Sequence, residues 1–528
     1  MDFADGLTVG IDLGTTFSTL AYLDENGTPI PVENDDGDCE TPSLILLASN
    51  GHVVVGPNRM RAAMEPPKNV VDRVKRHMGE TQGEYDHEFD GKKITPEFLS
   101  ALILKKLRQD AEKKLGIKIG NAVITVPYYF NDARRKATQD AGRIAGLNVI
   151  DIVNEPTAAT LTFAWMHHEL GVSETGSEKP KLVLVYDLGG GTFDVTVVRF
   201  TPTHFQVLST DGDVHLGGVD WNDRLLAHVA ELFKEEHGKD FRESPEAVQL
   251  MLYECDQAKI ALSENDKTII ACRHQGKTMT IQITRDQFEE MTADLTQRTI
   301  DTAELVMEQA TIKPDDLDAV VLVGGSTLMP VIVDRIEKVF NVKANRDLSP
   351  HTAVAQGAAL HAAILEAKHR GKDCEMADKL KKSLSRVSQE DVNSHGLGMV
   401  VHDPSSSKQI NYVMVPRNTK LPAEGRHTFV TKQEGQTRVH VKVIQGEAPD
   451  PSACSQVGDL YIHDLPEGLP KGAPVEVIYS FDEMGRIHVR AEDKTSGKSA
   501  KTQIERSGAL DDGQLDALTR LATDYKVD

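Results

Sequence analysis

Cysteine is scarce in this chain: five thiols, Cys39, Cys255, Cys272, Cys374 and Cys454, with no C-x-x-C pair and no metal-type clustering. That spacing argues against a disulfide framework or a thiolate metal centre and for reduced, unpaired thiols. Basic charge is also short. Fifty-nine lysines and arginines face 81 acids for a net charge of −22, which argues against nucleic acid and anionic membrane as broad partners, so an anionic ligand would need locally focused donors. No run approaches eighteen uninterrupted apolar residues, and MDFADGLTVG has neither the basic start nor the apolar stretch of a secretion signal. A cytoplasmic location with no membrane partner is the expectation. At 528 residues the chain exceeds what one hydrophobic core normally supports, so two or more domains are expected.

The chain is organised around Lys181–Val198, KLVLVYDLGGGTFDVTVV. An apolar strand brings Asp187 to the lip of a triple-glycine turn, and a second strand leaves through Thr192 and Asp194. Gly189, Gly190 and Gly191 let the backbone approach an anion with its amides, while Asp187 can hold a divalent cation through water. Such a turn alone also suits a plain tight hairpin. Residues 7–23, LTVGIDLGTTFSTLAYL, repeat the pattern with Asp12, Gly14, Thr15 and Thr16. Two such hairpins predict a duplicated β-rich α/β unit whose copies face each other across a nucleoside triphosphate and its metal.

The remaining pattern divides the chain. Thr95 can cap and Pro96 can open a helix with an apolar face at Phe98, Leu99, Leu102, Ile103 and Leu107, ending near Gly116. Residues 58–79 read as helical or irregular, with Lys75 and Arg76 as an exposed basic pair. Asn131 is a plausible cap for the helix carrying Arg134 and Arg135, and Glu155 stands at a strand-to-helix junction opened by Pro156. Further helices are expected around Trp221–Phe233 and Pro245–Leu262, and strand 319–327 ends in Gly324, Gly325 and Ser326. Residues 1–370 are thus α/β. Residues 371–392 read as a charged linker with a short amphipathic helix at Met376, Leu380, Leu384 and Val387. From 393 to 505 the pattern is all β, with clean alternation at Val439, Val441 and Val443 and a hairpin at Glu483, Met484 and Gly485, which indicates an antiparallel sandwich. Residues 506–528 hold a single amphipathic helix at most.

The ordered set IDLGTT (11–16), AVITVPYYFNDARRKATQDAGRIAGL (122–147), NEPTAA (154–159), DLGGGTFD (187–194), HLGG (215–218), VVLVGGST (320–327), VPRNT (415–419) and VIQGE (443–447) resembles the Hsp70, DnaK-like, chaperone family almost end to end. The resemblance implies an actin-like, duplicated, two-lobed ATPase domain joined to a β-sandwich that binds extended, unfolded polypeptide, with ATP or ADP and Mg2+ as cofactors and J-domain and nucleotide-exchange cochaperones as partners. It also implies a role in protein folding and the stress response. By position it places Asp12 and Asp187 on the magnesium through water, Gly14, Thr15, Thr16, Gly189, Gly190, Gly191 and Thr192 on the phosphates, and Gly217 and Gly218 among the cofactor-binding residues. Lys75, Glu155, Asp194 and Thr192 fall on catalytic positions, Pro127 and Arg135 on a relay to the second domain. Asp256, Lys259, Ser263, Gly324, Gly325 and Ser326 fall on the adenosine side, and Met399, Phe429, Val439 and Val441 on the peptide groove.

This sequence departs from the family at several of these places. A base-stacking arginine is Leu328 and an aspartate near the ribose is His351. The apolar interdomain linker is SLSRVSQEDV (383–392), a basic J-domain contact is Asp151, and the two residues arching over the peptide are His402 and Lys432. Only the first helix of the family's lid fits into the 21 residues from Gly508, so a lidless chaperone is the expectation. A small-molecule kinase on the same ATPase core and a nucleotide-gated assembly or scaffold protein are the rival readings. The all-β segment 393–505 argues against the kinase.

Overall fold

The computed structural model describes residues 2–528 apart from 49–51, 81–83, 90, 172–178, 371–375, 403–407, 432, 464, 466, 483–484, 495–497 and 507–509. Cys374, Lys432 and the hairpin tip at Glu483 and Met484 lie outside the described residues, as do the side chains of His402 and Val439. Cys39, Cys255, Cys272 and Cys454 are unpaired. Among the described residues no helix is long and apolar enough to cross a membrane.

The chain is mixed α/β with several sheets. In the first, strand Leu7–Asp12 pairs antiparallel with Phe17–Leu23 and parallel with Ile119–Val126, which pairs parallel with Asn148–Asn154. In the second, Lys181–Leu188 pairs antiparallel with Phe193–Thr201 and parallel with Ala319–Val323. The two glycine-bearing hairpins therefore hold equivalent topological places, and the repeat in the sequence is a repeat of topology. Their first strands are apolar along their length because each is flanked by strands on both sides and covered by helices.

Helices Glu155–Met166 and Ala353–His369 join one apolar cluster with Val123 of the first sheet and Val183, Val185 and Val321 of the second. They pack backbone to backbone: a methyl group on Gly357 would lie 1.8 Å from the carbonyl oxygen of Ala158. The helix starts follow the caps written in the sequence. Thr95 accepts from the amide of Phe98 ahead of helix Pro96–Leu115, which ends on left-handed Gly116, and Asn131 accepts from Arg134 ahead of Asp132–Ile144.

The linker docks. After helix Asp378–Leu384, residues Ser388–Glu390 add to the edge of the second sheet, parallel to His204–Asp213. The few apolar residues of this segment suffice because Leu384 and Val387 are buried as anchors and the strand itself is held by backbone pairing and polar groups. Ser388 Oγ and His204 Nδ1 are 2.9 Å apart, and Glu390 accepts from Gln206 at 3.2 Å and pairs with Lys420 at 2.6 Å.

Residues 397–506 form one eight-stranded, wholly antiparallel sheet around a single core that includes Met399, Val441, Val443, Leu460 and Tyr479. It rests on the α/β part through Arg417 Nη1 on Asp211 (2.9 Å), Asn418 Nδ2 on Gln309 (2.8 Å), and the ring of His395 against that of Tyr129 (4.2 Å). Burial, and then the charges of Arg135 and Arg417, push the His395 imidazole down to about 4. A histidine lowered in the folded state takes no proton there while the unfolded chain does, so it adds no penalty above about pH 6.5, and stability is lost as pH falls from about 6.5 to 4. Between about pH 6.5 and 4 the melting temperature of His395→Gln is expected to rise by several degrees relative to that of the parent, a difference that the raised carboxyls of Asp12, Asp187 and Asp194, common to both proteins, leave in place. An unchanged pH profile in the variant would refute the assignment.

The end of the chain departs from the single helix expected. Helix Asp512–Asp524 packs with its Leu515, Leu518 and Leu521 on the core beneath the first sheet, and residues Lys526–Val527 then add a parallel strand beside His52–Val55. Lys105 Nζ donates to the carbonyls of Ala522 and Tyr525 at 2.7 and 2.9 Å. Two residues are too few to leave a period-two pattern in a sequence.

Candidate functional site

The two hairpin turns meet. A methyl group on Gly190 would lie 1.6 Å from Thr16 Oγ1, one on Gly191 2.4 Å from the Thr15 side chain, and one on Gly217 2.5 Å from the backbone of Gly191. Glycine at these positions is what lets the loops of the two sheets touch. Gly218 and Val219 amides donate to the carbonyls of Gly189 and Gly190, fixing the second turn against the start of helix Gly218–His237. The turns close over a cleft of about 510 Å3 lined by Asp12, Gly14, Thr15, Thr16, Gly189, Gly190 and Thr192.

Carboxylates gather at its floor. Asp12 ends its strand, Asp187 stands one residue before the end of its own and faces Asp194 across the hairpin, and Glu155 opens its helix. Lys75 is not the exposed base that its sequence neighbourhood suggests. It is only 4% exposed, and its Nζ lies 2.6 Å from Glu155 Oε1. A short 3-10 turn, Val74–His77, carries Lys75 inward; a turn of four residues gives no period by which burial could be read. Arg76 is also drawn in: its Nε donates to the carbonyl of Gly191 at 2.9 Å and its guanidinium pairs with Asp220 at 2.5 Å.

Burial, and then the Glu155 charge, lift the carboxyls of Asp12 and Asp194 to about 7, and the same causes lift Asp187 well above the carboxylate range. Burial opposes the charge on Lys75, but Glu155 and Asp12 outweigh it and hold its ammonium above the usual lysine value. Asp194 is further pinned by the backbone amides of Tyr128 and Tyr129 at 3.0 and 3.3 Å. A site of this kind, four acids and one lysine under two amide-lined turns, suits a polyanion brought in with a cation that relieves the crowded carboxylates. The buried Thr16 Oγ1, without a hydrogen-bond partner among the described residues, adds a donor on the same wall.

The predicted adenosine-side residues converge on the other end of the cleft. Ser326 Oγ donates to Gly189 O at 2.9 Å, Lys259 Nζ donates to Gly218 O at 2.9 Å and pairs with Asp256 at 3.2 Å, and Ser263 Oγ donates to Lys259 O. Leu328, Gly324 and Gly325 line this end. His351 also lines it and bonds Glu40 at 3.0 Å; that bond raises its imidazole above the usual value. Glu40, Arg76 and the amides of Tyr128 and Tyr129 escape a reading of the sequence because ordinary loop residues there act through contacts set at long range.

A model of the family described as Hsp70 protein matches residues 8–528. The chain belongs to the Hsp70 family. It is 37% identical over 528 residues to the chaperone protein DnaK of Thermotoga petrophila and to that of Thermotoga maritima, covering 98% of this chain and 83% of each relative. The DnaK of Thermosipho melanesiensis is 36% identical over 527 residues, with the same coverage. The protein is an Hsp70-type chaperone and an ATPase, and the nucleotide cofactor of the family is ATP or ADP.

The remaining expected residues lie outside the cleft. Arg135 is half-buried between the two parts of the chain, bonding the Asn154 side chain and the carbonyl of Phe130, and loss of solvent lowers its guanidinium below the usual arginine value. Pro127 precedes the two amides that hold Asp194. Asp151 is bonded to His361 Nε2 at 2.8 Å. In the third sheet Met399 and Val441 are buried, and Phe429 is half-buried against the same core.

Proposed function

We propose that the first two sheets are the facing lobes of an actin-like ATPase and that the antiparallel sheet of residues 393–505 is a β-sandwich gripping extended polypeptide. The division at 1–370, 371–392, 393–505 and 506–528 follows from it. The observation that carries the reading is the pair of mirrored acid-and-glycine hairpins closing over one cleft with the Lys75–Glu155 pair at its floor.

In this reading Asp12 and Asp187 would hold a magnesium ion through water, and the residues fit it: burial, and then the Glu155 charge, raise both carboxyls, and a dication would relieve them. The ion would neutralise charge developing on the phosphates. Thr15, Thr16, Gly190, Gly191 and Thr192 present their amides and hydroxyls to the phosphates, and Gly14, Gly189, Gly217 and Gly218, whose amides are taken within the protein, let the chain approach them closely. Glu155 and Asp194 orient the attacking water, and Lys75 stabilises the transferred group. Asp256, Lys259, Ser263 and Gly324–Ser326 hold the adenosine.

Asp194 is linked to the docked linker by a short run of contacts. The amides of Tyr128 and Tyr129, after Pro127, hold its carboxylate, while Tyr128 OH accepts from the amide of Val392 and donates to its carbonyl at 3.1 and 3.0 Å. Asp391 accepts from Asn154 and Thr157 beside Arg135. A change at Asp194 on hydrolysis would therefore be felt at the linker, with Pro127 and Arg135 as its relay. On the sandwich, an extended peptide meets Phe429 first, with Met399 and Val441 beneath it and Val439 in the same strand, and adds backbone pairing to side-chain pockets. Nucleotide-exchange cochaperones are expected partners in the cytoplasm; the His361-bonded Asp151 makes a J-domain contact there differ in charge from that of the family.

The test is fluorescence anisotropy of a labelled extended peptide with the intact chain. Peptide release is expected to be several-fold faster with MgATP than with MgADP. Equal off-rates would overturn nucleotide control.

A further inference from the structure

A second cavity of about 420 Å3 opens beside the nucleotide cleft, within the range of about 300–1,000 Å3 usual for small-molecule sites. One wall comes from helix Arg59–Ala63 and residues 67–73, the other from helix Pro245–Glu264. Gln249 ties these walls by donating to the carbonyls of Ala62 and Glu65 at 2.9 and 2.8 Å. Thr16, Val219 and Asp256 are common to this cavity and the cleft, so the two spaces share a partition.

The lining is mostly apolar, with Leu44, Ala63, Val70, Val248 and Leu252 prominent. Three buried polar atoms on it have no hydrogen-bond partner among the described residues: Arg59 Nε, Asn222 Oδ1 and Thr16 Oγ1. Asn222 is only 4% exposed. The other charges on the wall are committed. Arg73 lies 3.6 Å from Asp72 and 3.7 Å from Asp223, and Asp256 accepts from Asn222 Nδ2 at 2.9 Å and pairs with Lys259. Arg59 donates to the carbonyl of Thr16 at 2.8 Å and lies over the Phe17 ring at 4.8 Å; its charge helps to lower the Asp256 carboxyl, but no carboxylate named above lies within salt-bridge distance of it.

We propose that this cavity is a binding site for a small amphipathic anion: a flat apolar body of naphthalene size, a carboxylate for Arg59 and a hydroxyl for Asn222 Oδ1. A buried donor and acceptor left unpaired are costly, and apolar walls exclude the water that would otherwise compete. Because the ligand touches both walls, and these share Thr16, Val219 and Asp256 with the cleft, its occupancy holds the walls together and slows release of nucleotide from behind them. The site rests on the cavity itself; its effect on release rests on the nucleotide assignment above.

The probe is 6-hydroxy-2-naphthoate, titrated by calorimetry into the intact chain saturated with ADP, together with stopped-flow release of a fluorescent ADP analogue. One molecule is expected to bind with ADP in place and to slow release several-fold. Ala63→Trp, which fills the cavity, is expected to abolish both effects. Arg59→Gln is expected to weaken the naphthoate about tenfold, the scale of one charge-assisted hydrogen bond, and to leave uncharged 2-naphthol unchanged. No binding in the presence of ADP, competition with ADP, or undiminished binding to either variant would overturn the proposal. If the ADP analogue itself fails to bind, the reading of the cleft falls while the heat of naphthoate binding still decides this one.

Discussion

Lys75→Met is expected to lower the rate of ATP hydrolysis by about 10²–10³-fold, the usual cost of removing one preorganised charge donor from a closed site, while ATP still binds. The lysine stands beside all four acids, 2.6 Å from Glu155 and close enough to Asp12 and Asp187 to offset part of the rise that burial and Glu155 impose on both carboxyls. Without it the acids rise further, Glu155 loses its partner in a buried place, and the transferred phosphoryl group loses a fixed positive charge. Methionine keeps the packing of the aliphatic stem, so a loss confined to turnover is the signature. Single-turnover hydrolysis set beside calorimetric MgATP binding gives the answer; a rate within about threefold of the parent would remove Lys75 from the chemistry.

Gly217→Ala tests the geometry with one methyl group. Gly217 has φ near −173°, extended backbone that any residue adopts, so the substitution carries no conformational strain of its own. The obstacle is the backbone of Gly191, whose atoms would lie 2.5–2.6 Å from the new carbon and cannot swing aside as a side chain could. Gly191 is held in turn by Arg76, so the triple-glycine turn must shift as a whole. Overpacking of this kind costs about 1–3 kcal/mol, and MgATP affinity is expected to fall about 10- to 100-fold. Gly189→Ala is the control for folding: its methyl would meet nothing closer than Thr192 O at 3.4 Å, and its melting temperature is expected to match the parent. Parent-like MgATP affinity in Gly217→Ala would show that the two loops do not need to touch.

Much of the cleft is legible in the residue order because its parts are local. Asp12 and Asp187 stand at or next to the ends of apolar strands, the glycines follow at once, and turn chemistry of that kind needs no distant neighbour to be read. Helix starts at Thr95 and Asn131 are legible for the same reason. Lys75 and Arg76 are not: nothing beside them in the chain forces them inward, and they read as solvated bases until Glu155, Gly191 and Asp220 are brought alongside. The linker shows the same limit. Its polar sequence gives little reason to expect docking, yet Ser388–Glu390 adds to a sheet edge through backbone groups that every residue carries.

By itself the sequence determined the duplicated hairpins, the change from α/β to all-β character near residue 393 and the identity of the acids and glycines, since these depend on period, turn residues and side-chain chemistry. Only the tertiary structure decided which charges are buried together, where the linker and the final strand attach, and that a second cavity shares a wall with the first. Those are facts of long-range packing, where burial raises carboxyls and unpaired edges find partners, and no local pattern encodes them.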